Sequence, residues 1–408
     1  MQDAKLLIFR RRYRNPHRPM SKPEPSSQPR SHPGKPTPIP FNGSPNPTLG
    51  VELEIQVIDP DTMNLTSRSI QILERLDEDS PIKQELTQST IEVVTDVCET
   101  VAETREDLTR SFKTLFEIGD DLGHMYAAAG THPFAQWREQ SIYPNDRYQD
   151  LVRRIQWPAR RLMIYGLHVH VGVQSGEKAI AIINALTRYI PHLLVLSASS
   201  PYLDHEDTGL ASARTKIFEA MPTAGLPFRL ANYSEFQSFM NSLIRAGAIE
   251  SVREIWWDIR PHPGFGTIEV RICDCPSTLT ETAALTALIQ CLIVWLDDCY
   301  ENGLMPELLR PWIVRENKWR GARYGLEASV IIDNAGTQNQ IVDDIRDLVS
   351  LLAPISTTLN CSHELKGVLA ILDGGASYQR QRRLYGEVGN FERVVEELSR
   401  SLRSDVMG

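Results

Sequence analysis

One segment constrains the fold more than any other. In Val51-Glu52-Leu53-Glu54-Ile55-Gln56-Val57, apolar and polar residues alternate without a break. That is the period of a β-strand with one buried face. Glu52 and Glu54 then share the opposite face, where two ionised carboxylates a few ångströms apart repel and need a cation nearby. Taken alone, the segment reads as a surface strand with its charged side in water.

Three more segments repeat the design and change that reading. Thr90-Ile91-Glu92-Val93-Val94-Thr95 is a β-branched run with Glu85 upstream, typical of a strand. Gly166 to Val173 alternates Val169, Val171 and Val173 with His168 and His170, and Gly266 to Asp274 alternates Ile268, Val270 and Ile272 with Glu269 and Arg271. If these strands share one sheet, its polar face gathers carboxylates, two imidazoles and a guanidinium. A solvent face would carry Lys, Thr, Ser and Gln instead; Glu and His with so little Lys is the composition of a metal site. Oxygen-rich ligation favours Mg²⁺ or Mn²⁺ over zinc, and Mg²⁺ sites of this kind usually hold substrate phosphates. His168 is the preferred ligand, with His170 open to a purely structural role. Arg214, Arg260, Arg271, Arg320 and Arg323 are the basic groups available for phosphate and carboxylate, and no Walker A motif is present.

The remaining chain frames this face. Residues 1–47 hold eleven prolines and nine Lys or Arg against two acidic residues, a composition that reads as a disordered tail. The net charge of −9 therefore sits on a still more acidic body, which argues against nucleic acid as a partner. No apolar run reaches the ~20 residues of a membrane span, and Ala283 to Leu296 reads as a core helix. Six cysteines without a C-x-x-C pair or a secretory signal suggest reduced thiols in a cytoplasmic protein. Cys291 and Cys299, eight apart, share a helical face expected in the core, and Cys273, Cys275, Trp256 and Trp257 read as packing residues. Helices are expected over Ser69 to Leu76, Thr100 to Met125, Arg147 to Met163, Glu177 to Leu196 and Ser234 to Ala246, the last with Ser234 as cap and Gln237 three residues on. The loop-rich Tyr202 to Phe236 is long enough to suggest function, and from Leu279 the chain reads as largely helical.

Leu49 to Glu54, Glu85 to Thr95, Gly166 to Val173, Pro222 to Gly225, Trp257 to His262, Thr267 to Arg271 and Trp319 to Gly325, in this order, resemble the carboxylate–amine ligases related to glutamate–cysteine ligase type 2, within the glutamine-synthetase-like superfamily. The resemblance covers residues 48 to about 330. It implies an α+β fold: a curved, mainly antiparallel sheet whose polar concave face is the active site, flanked by helices, with residues 48–408 as one ligase domain. It implies ATP with two or three Mg²⁺ ions (Mn²⁺ as the substitute), held by Glu52, Glu54, Glu85, Glu92, Glu269 and His168. Glu52 is expected to share an ion with His168 and Glu269, and Glu54 another with Glu85 and Glu92. Arg271 would face the transferred phosphoryl and, with Glu269, form the catalytic pair; Arg320 and Arg323 would help hold the nucleotide, and Arg214 or Arg260 the substrate carboxylate.

The function expected from this is the ATP-dependent joining of an amino acid's γ-carboxylate to an amine, with glutamate and cysteine as the expected pair through γ-glutamyl phosphate, an activity described as weak in this branch. The partners would be small molecules rather than nucleic acid or membrane, and the assembly is left open, a homodimer being one candidate. Two rivals are a metal-dependent hydrolase built on His168-x-His170 and a non-catalytic nucleotide-binding regulator of the same fold.

Overall fold

β1 (Leu49–Ile58) is the longest strand and lies centrally in the main sheet. The computed structural model describes residues 38–408, so the expectation for residues 1–37 lies outside it. Along the chain follow β2 (Ile82–Gln84), β3 (Thr90–Val94), β4 (Met125–Ala127), β5 (Leu167–Gly172), the small hairpin of β6 (Tyr202–Leu203) and β7 (Glu206–Asp207), then β8 (Ile259–His262) and β9 (Thr267–Val270). The main sheet runs β2-β3-β1-β5-β9-β8, each pair antiparallel. Gln56 pairs with both Thr90 of β3 and Ala127 of β4, so β4 continues the β5 side of β1 where β5 has ended.

The alternation in β1 does what its period dictates. Val51, Leu53, Ile55 and Val57 are buried, and Ile91, Val93, Val169, Val171, Ile268 and Val270 join them in one core. Helices Val101–Leu122, Gly176–Leu186 and Leu279–Glu301 pack on this face. Val101–Leu122 starts at a capping box, Thr100 with Glu103, and ends at Gly123 in the left-handed conformation (φ 73°). Two segments, Gly176–Ser197 and Leu279–Glu301, are long and apolar enough by composition to cross a membrane, but 78% of each such window is buried in the protein. The second, predicted as a core helix, is longer than its Ala283–Leu296 centre. From Leu279 the chain is largely helical, interrupted by the loop over residues 302–310 and by the hairpin of β10 (Ser329–Ile331) and β11 (Gln338–Gln340).

Several expectations shift. Residues 38–47, grouped in the sequence with the tail, are ordered against the body. Ile39 N–H donates to Gln237 Oε1 (2.9 Å), Tyr233 O–H to the Ile39 carbonyl (2.9 Å), Asn42 N–H to the Pro263 carbonyl (2.9 Å) and Ser44 N–H to the Val173 carbonyl (2.9 Å). Prolines remove donors from this strap, so partners on other elements hold its remaining groups. It crosses the β8–β9 turn at Gly266 (φ +69°), where a Cβ would stand 1.8 Å from the Asn42 oxygen. The cap of helix Tyr233–Arg245 is Asn232, accepting from Glu235 N–H (2.9 Å), not Ser234. Helix Gly176–Leu186 is separate from Ile190–Ser197, with Pro191 in the first turn of the latter. Residues Arg147 to Met163 divide into Asp146–Ile155 and Trp157–Arg160 around Gln156 (φ 63°). Cys291 is buried, its sulfur 3.6 Å from that of Cys361, but Cys299 is only half-buried.

Candidate active site

Antiparallel register assembles the polar face. Glu52 on β1 stands opposite His168 on β5, Glu54 opposite Glu92 on β3, and Glu269 on β9 opposite both His170 on β5 and Arg260 on β8. Because side chains alternate with period two, these groups fall on the face that the core does not use. Glu269 and both imidazoles are buried, whereas Glu52, Glu54, Glu85 and Glu92 are half-buried.

The contacts are short. His168 Nδ1 lies 3.0 Å from Glu52 Oε2, and His170 Nε2 lies 3.4 Å from Glu52 Oε1 and 3.9 Å from Glu269 Oε2. His170 Nδ1 pairs with Thr267 Oγ1 (3.0 Å), which fixes the ring, yet its Nε2 is buried without a hydrogen-bond partner among the described residues. Arg260 grips Glu269 with Nε (2.7 Å) and Nη2 (3.0 Å), and Arg271 pairs with the same carboxylate. Donor atoms within 4.8 Å of one another define three groups: Glu52/His170/Glu269, Glu52/Glu92/His168 and Glu54/Glu85/Glu92. Glu54, Glu85 and Glu92, expected to share an ion, form one of these groups. The other two put His170 beside Glu52 and Glu269, and His168 beside Glu52 and Glu92. Each group suits a hard cation with oxygen and imidazole ligands.

The electrostatics divide the face in two. Burial would raise Glu269, but Arg260 and Arg271 hold it well below the usual carboxylate range. Burial likewise opposes Glu52, which the hydrogen bond from His168 and the adjacent His170 imidazole keep strongly depressed. Burial, then the Arg271 charge, push His168 down to about 4. At the other end burial and Glu85 push Glu54 up to about 7, and burial with the charges of Glu52, Glu85 and Glu54 pushes Glu92 well above its ordinary value. Three crowded carboxyls with too little positive charge are stabilised by anything cationic that binds there.

The face lines a cavity of about 920 Å³. Lys83, Arg147, Tyr148, Arg253 and Trp256 line it as well, and the strap contributes Asn42, Gly43 and Ser44. Lys83, Arg147 and Arg253 make no side-chain hydrogen bond or ion pair among the described residues. Arg147 and Arg253 stand on segments tied together by Arg154, which bonds Asp150 (2.8 Å) and Glu254 (2.8 Å). None of these three cations was read from the sequence. Only Lys83, two residues before Glu85 and cross-strand to Glu92, carried a signal that pairing could have exposed.

The arginines expected here are mostly elsewhere. Arg260 and Arg271 line the cavity. Arg214 is buried, donating to the carbonyls of Ile272 (3.3 Å) and Arg271 (3.3 Å). Arg320 bonds Glu316 (2.9 Å), the Ser329 carbonyl (3.0 Å) and Gln338 (2.9 Å), and Arg323 bonds the Gly209 carbonyl. These three line no part of the acidic cavity, because backbone carbonyls elsewhere in the fold claim their guanidinium groups. Trp257 is core, stacked on Phe239 (5.1 Å between centroids), and burial pushes the Cys273 thiol up to about 12.

Residues 48–397 match the description of glutamate–cysteine ligase family 2. A protein of Thermobifida fusca with the provisional name glutamate–cysteine ligase 2 is 45% identical over 372 residues, covering 90% of this chain and 93% of its own length. A protein of Gloeobacter violaceus with the same provisional name is 47% identical, covering 89% and 99%. Among solved structures, a glutamate–cysteine ligase of Francisella tularensis in complex with AMP aligns with TM-score 0.68 at 12% identity, over 90% of each chain. A bifunctional glutathione synthetase of Pasteurella multocida aligns with TM-score 0.64 at 12% identity, over 88% of this chain and 53% of its own. At such identity these two show a shared fold.

Proposed function

The chain belongs to glutamate–cysteine ligase family 2, and from that premise we propose that the acidic face is the active site of an ATP-dependent carboxylate–amine ligase, joining the γ-carboxylate of glutamate to cysteine. The observation that carries the site is the register that sets Glu52 against His168, Glu54 against Glu92 and His170 against Glu269. The relatives described above bear ligase names, which favours this reading over the hydrolase.

A carboxylate is a poor electrophile, and phosphorylation gives it a leaving group. A γ-carboxylate oxygen of glutamate attacks the γ-phosphorus of ATP, the bond to the β–γ bridging oxygen breaks, and ADP departs. The amine nitrogen of cysteine then attacks the acyl carbon, inorganic phosphate leaves with the electron pair, and the nitrogen gives up a proton. Two or three Mg²⁺ ions, or Mn²⁺, fit the donor set: Glu52, Glu54, Glu85, Glu92, Glu269, His168 and His170, whose buried Nε2 lacks a hydrogen-bond partner among the described residues. Bound there, such ions neutralise phosphate charge during transfer. Arg260 and Arg271 keep Glu269 ionised and aligned. Arg271 supplies positive charge toward the transferred phosphoryl, and Lys83, Arg147 and Arg253 are free to bind phosphate or carboxylate oxygens. The six free thiols suit a reducing compartment, and we place the enzyme in the cytoplasm.

The test is ADP release with ATP, Mg²⁺, glutamate and cysteine, extended to a panel of acids crossed with amines and repeated in EDTA. Glu52→Gln and Glu269→Gln are expected to abolish turnover. Undiminished turnover in these variants, or in EDTA, overturns the assignment.

A further inference from the structure

A second cavity, of about 830 Å³, shares no lining residue with the acidic one. One wall is the helix Pro311–Tyr324, whose inward stripe of Ile313, Val314, Asn317, Lys318, Gly321 and Ala322 is buried. Its outward stripe, three or four residues apart in turn, carries Trp312, Arg315 and Trp319. Such a stripe is ordinarily polar. Here Trp312 is 63% exposed and Trp319 41%, and Phe228, on the loop lining the cavity with them, is 61% exposed.

The charges are as unbalanced as the polarity. On the floor, Lys318 Nζ bonds Asp258 (2.6 Å) and Glu219 (2.7 Å), and the second Glu219 oxygen takes Lys216 (2.8 Å). Glu316 is taken by Arg320 (2.9 Å). Every acidic group of the cavity therefore has its cation. Arg229 and Arg315 are left over, with no side-chain hydrogen bond or ion pair among the described residues.

We propose that this cavity is a second ligand site, built for an organic anion with a flat, apolar body. The body lies against Trp312, Trp319 and Phe228, and the anionic group is met by Arg229 and Arg315. Rings and unpaired guanidinium groups together are complementary to that chemistry and to no simple inorganic ion. The volume falls in the range of roughly 300–1,000 Å³ typical of small-molecule sites, which favours a small ligand over a protein surface. The proposal does not rest on the ligase reading.

The test uses the full chain in EDTA, without ATP, titrated with 1-anilinonaphthalene-8-sulfonate and followed by energy transfer from tryptophan. Saturable binding is expected, weakened about tenfold or more (about 1.4 kcal/mol) by Arg315→Glu and by Trp319→Ala. Trp319→Phe should retain it, and Glu52→Gln, in the other cavity, should not alter it. Both weakening variants replace exposed side chains, and thermal melts check that each is folded. Equal affinity in wild type, Arg315→Glu and Trp319→Ala overturns the proposal. So does sedimentation showing a self-associated chain that Trp312→Ala dissociates and that binds the probe only once dissociated, since the cavity would then be a subunit interface.

Discussion

Arg147 lines the acidic cavity without an ion-pair partner among the described residues, and its charge already pulls against the burial that raises Glu85. A guanidinium in that position is free to take an anionic oxygen of a substrate. Arg147→Ala is therefore expected to raise KM for ATP or for the acid by about tenfold, about 1.4 kcal/mol, with kcat changed by less than about threefold. Arg147→Lys should recover part of the loss. Steady-state kinetics decides it, and a fall in kcat at constant KM would place Arg147 in the chemical step instead. The contrast with Glu52 and Glu269 lies in how each residue is positioned. Those two sit on alternating strands, so their face follows from the sequence alone. Arg147 stands in the first turn of the helix Asp146–Ile155 and Arg253 in the short 3₁₀ turn Val252–Glu254, and no local period points either of them at the sheet. Arg214, Arg320 and Arg323 fail in the opposite sense. Their types suit phosphate, but carbonyls at Ile272, Ser329 and Gly209, remote in sequence or on other elements, claim them first.

Among the elements, the strap of residues 38–47 and the helix Tyr233–Arg245 explain each other. Two overlapping patterns suit that helix start: Asn232 with Glu235, and Ser234 with Gln237. Gln237 Oε1 is occupied by Ile39 N–H, while Asn232 caps Glu235 N–H and Glu235 Oε2 reaches back to Ala231 N–H (2.6 Å). A segment nearly two hundred residues away thus decides between two locally acceptable caps. Tyr233 adds a ring under Phe41 (5.7 Å, edge-on) and the O–H donated to Ile39. Tyr233→Phe is expected to destabilise the protein by about 1 kcal/mol, seen as a lower urea midpoint. Because the strap lines the cavity through Asn42, Gly43 and Ser44, the same variant should speed amide exchange across residues 39–44. Unchanged exchange there would show that the ring contact alone holds the strap.

For the whole molecule, acid sensitivity should be traceable to buried imidazoles, His132 first. Burial pushes His132 down to about 3, and its bonding requires the neutral ring: Nδ1 accepts from Phe134 N–H (3.3 Å) and Ala135 N–H (3.0 Å), leaving Nε2–H to donate to the Met63 carbonyl (2.9 Å). A depressed folded value means that the unfolded chain binds the extra proton. Its contribution is therefore complete above about pH 6.5 and is lost as pH falls toward about 3, by at most about 1.4 kcal/mol per pH unit. Urea midpoints of wild type and His132→Gln between pH 7 and pH 5 test this; the variant should show the flatter dependence, and parallel curves would exclude His132 as a source. His132 also marks the limit of local reading, since its partners come from both its own turn and Met63. What the sequence by itself determined was the set of alternating strands, the side of each that carries carboxylate or imidazole, and the family that those motifs resemble, because side-chain direction in a strand depends on parity alone. Only the tertiary structure decided which of those groups meet. Register set His170 beside Glu269 and Glu54 beside Glu92, packing brought Lys83, Arg147 and Arg253 to the cavity from unrelated elements, and buried carbonyls drew three other arginines away. Those outcomes depend on contacts between residues far apart in the chain, which no local pattern encodes.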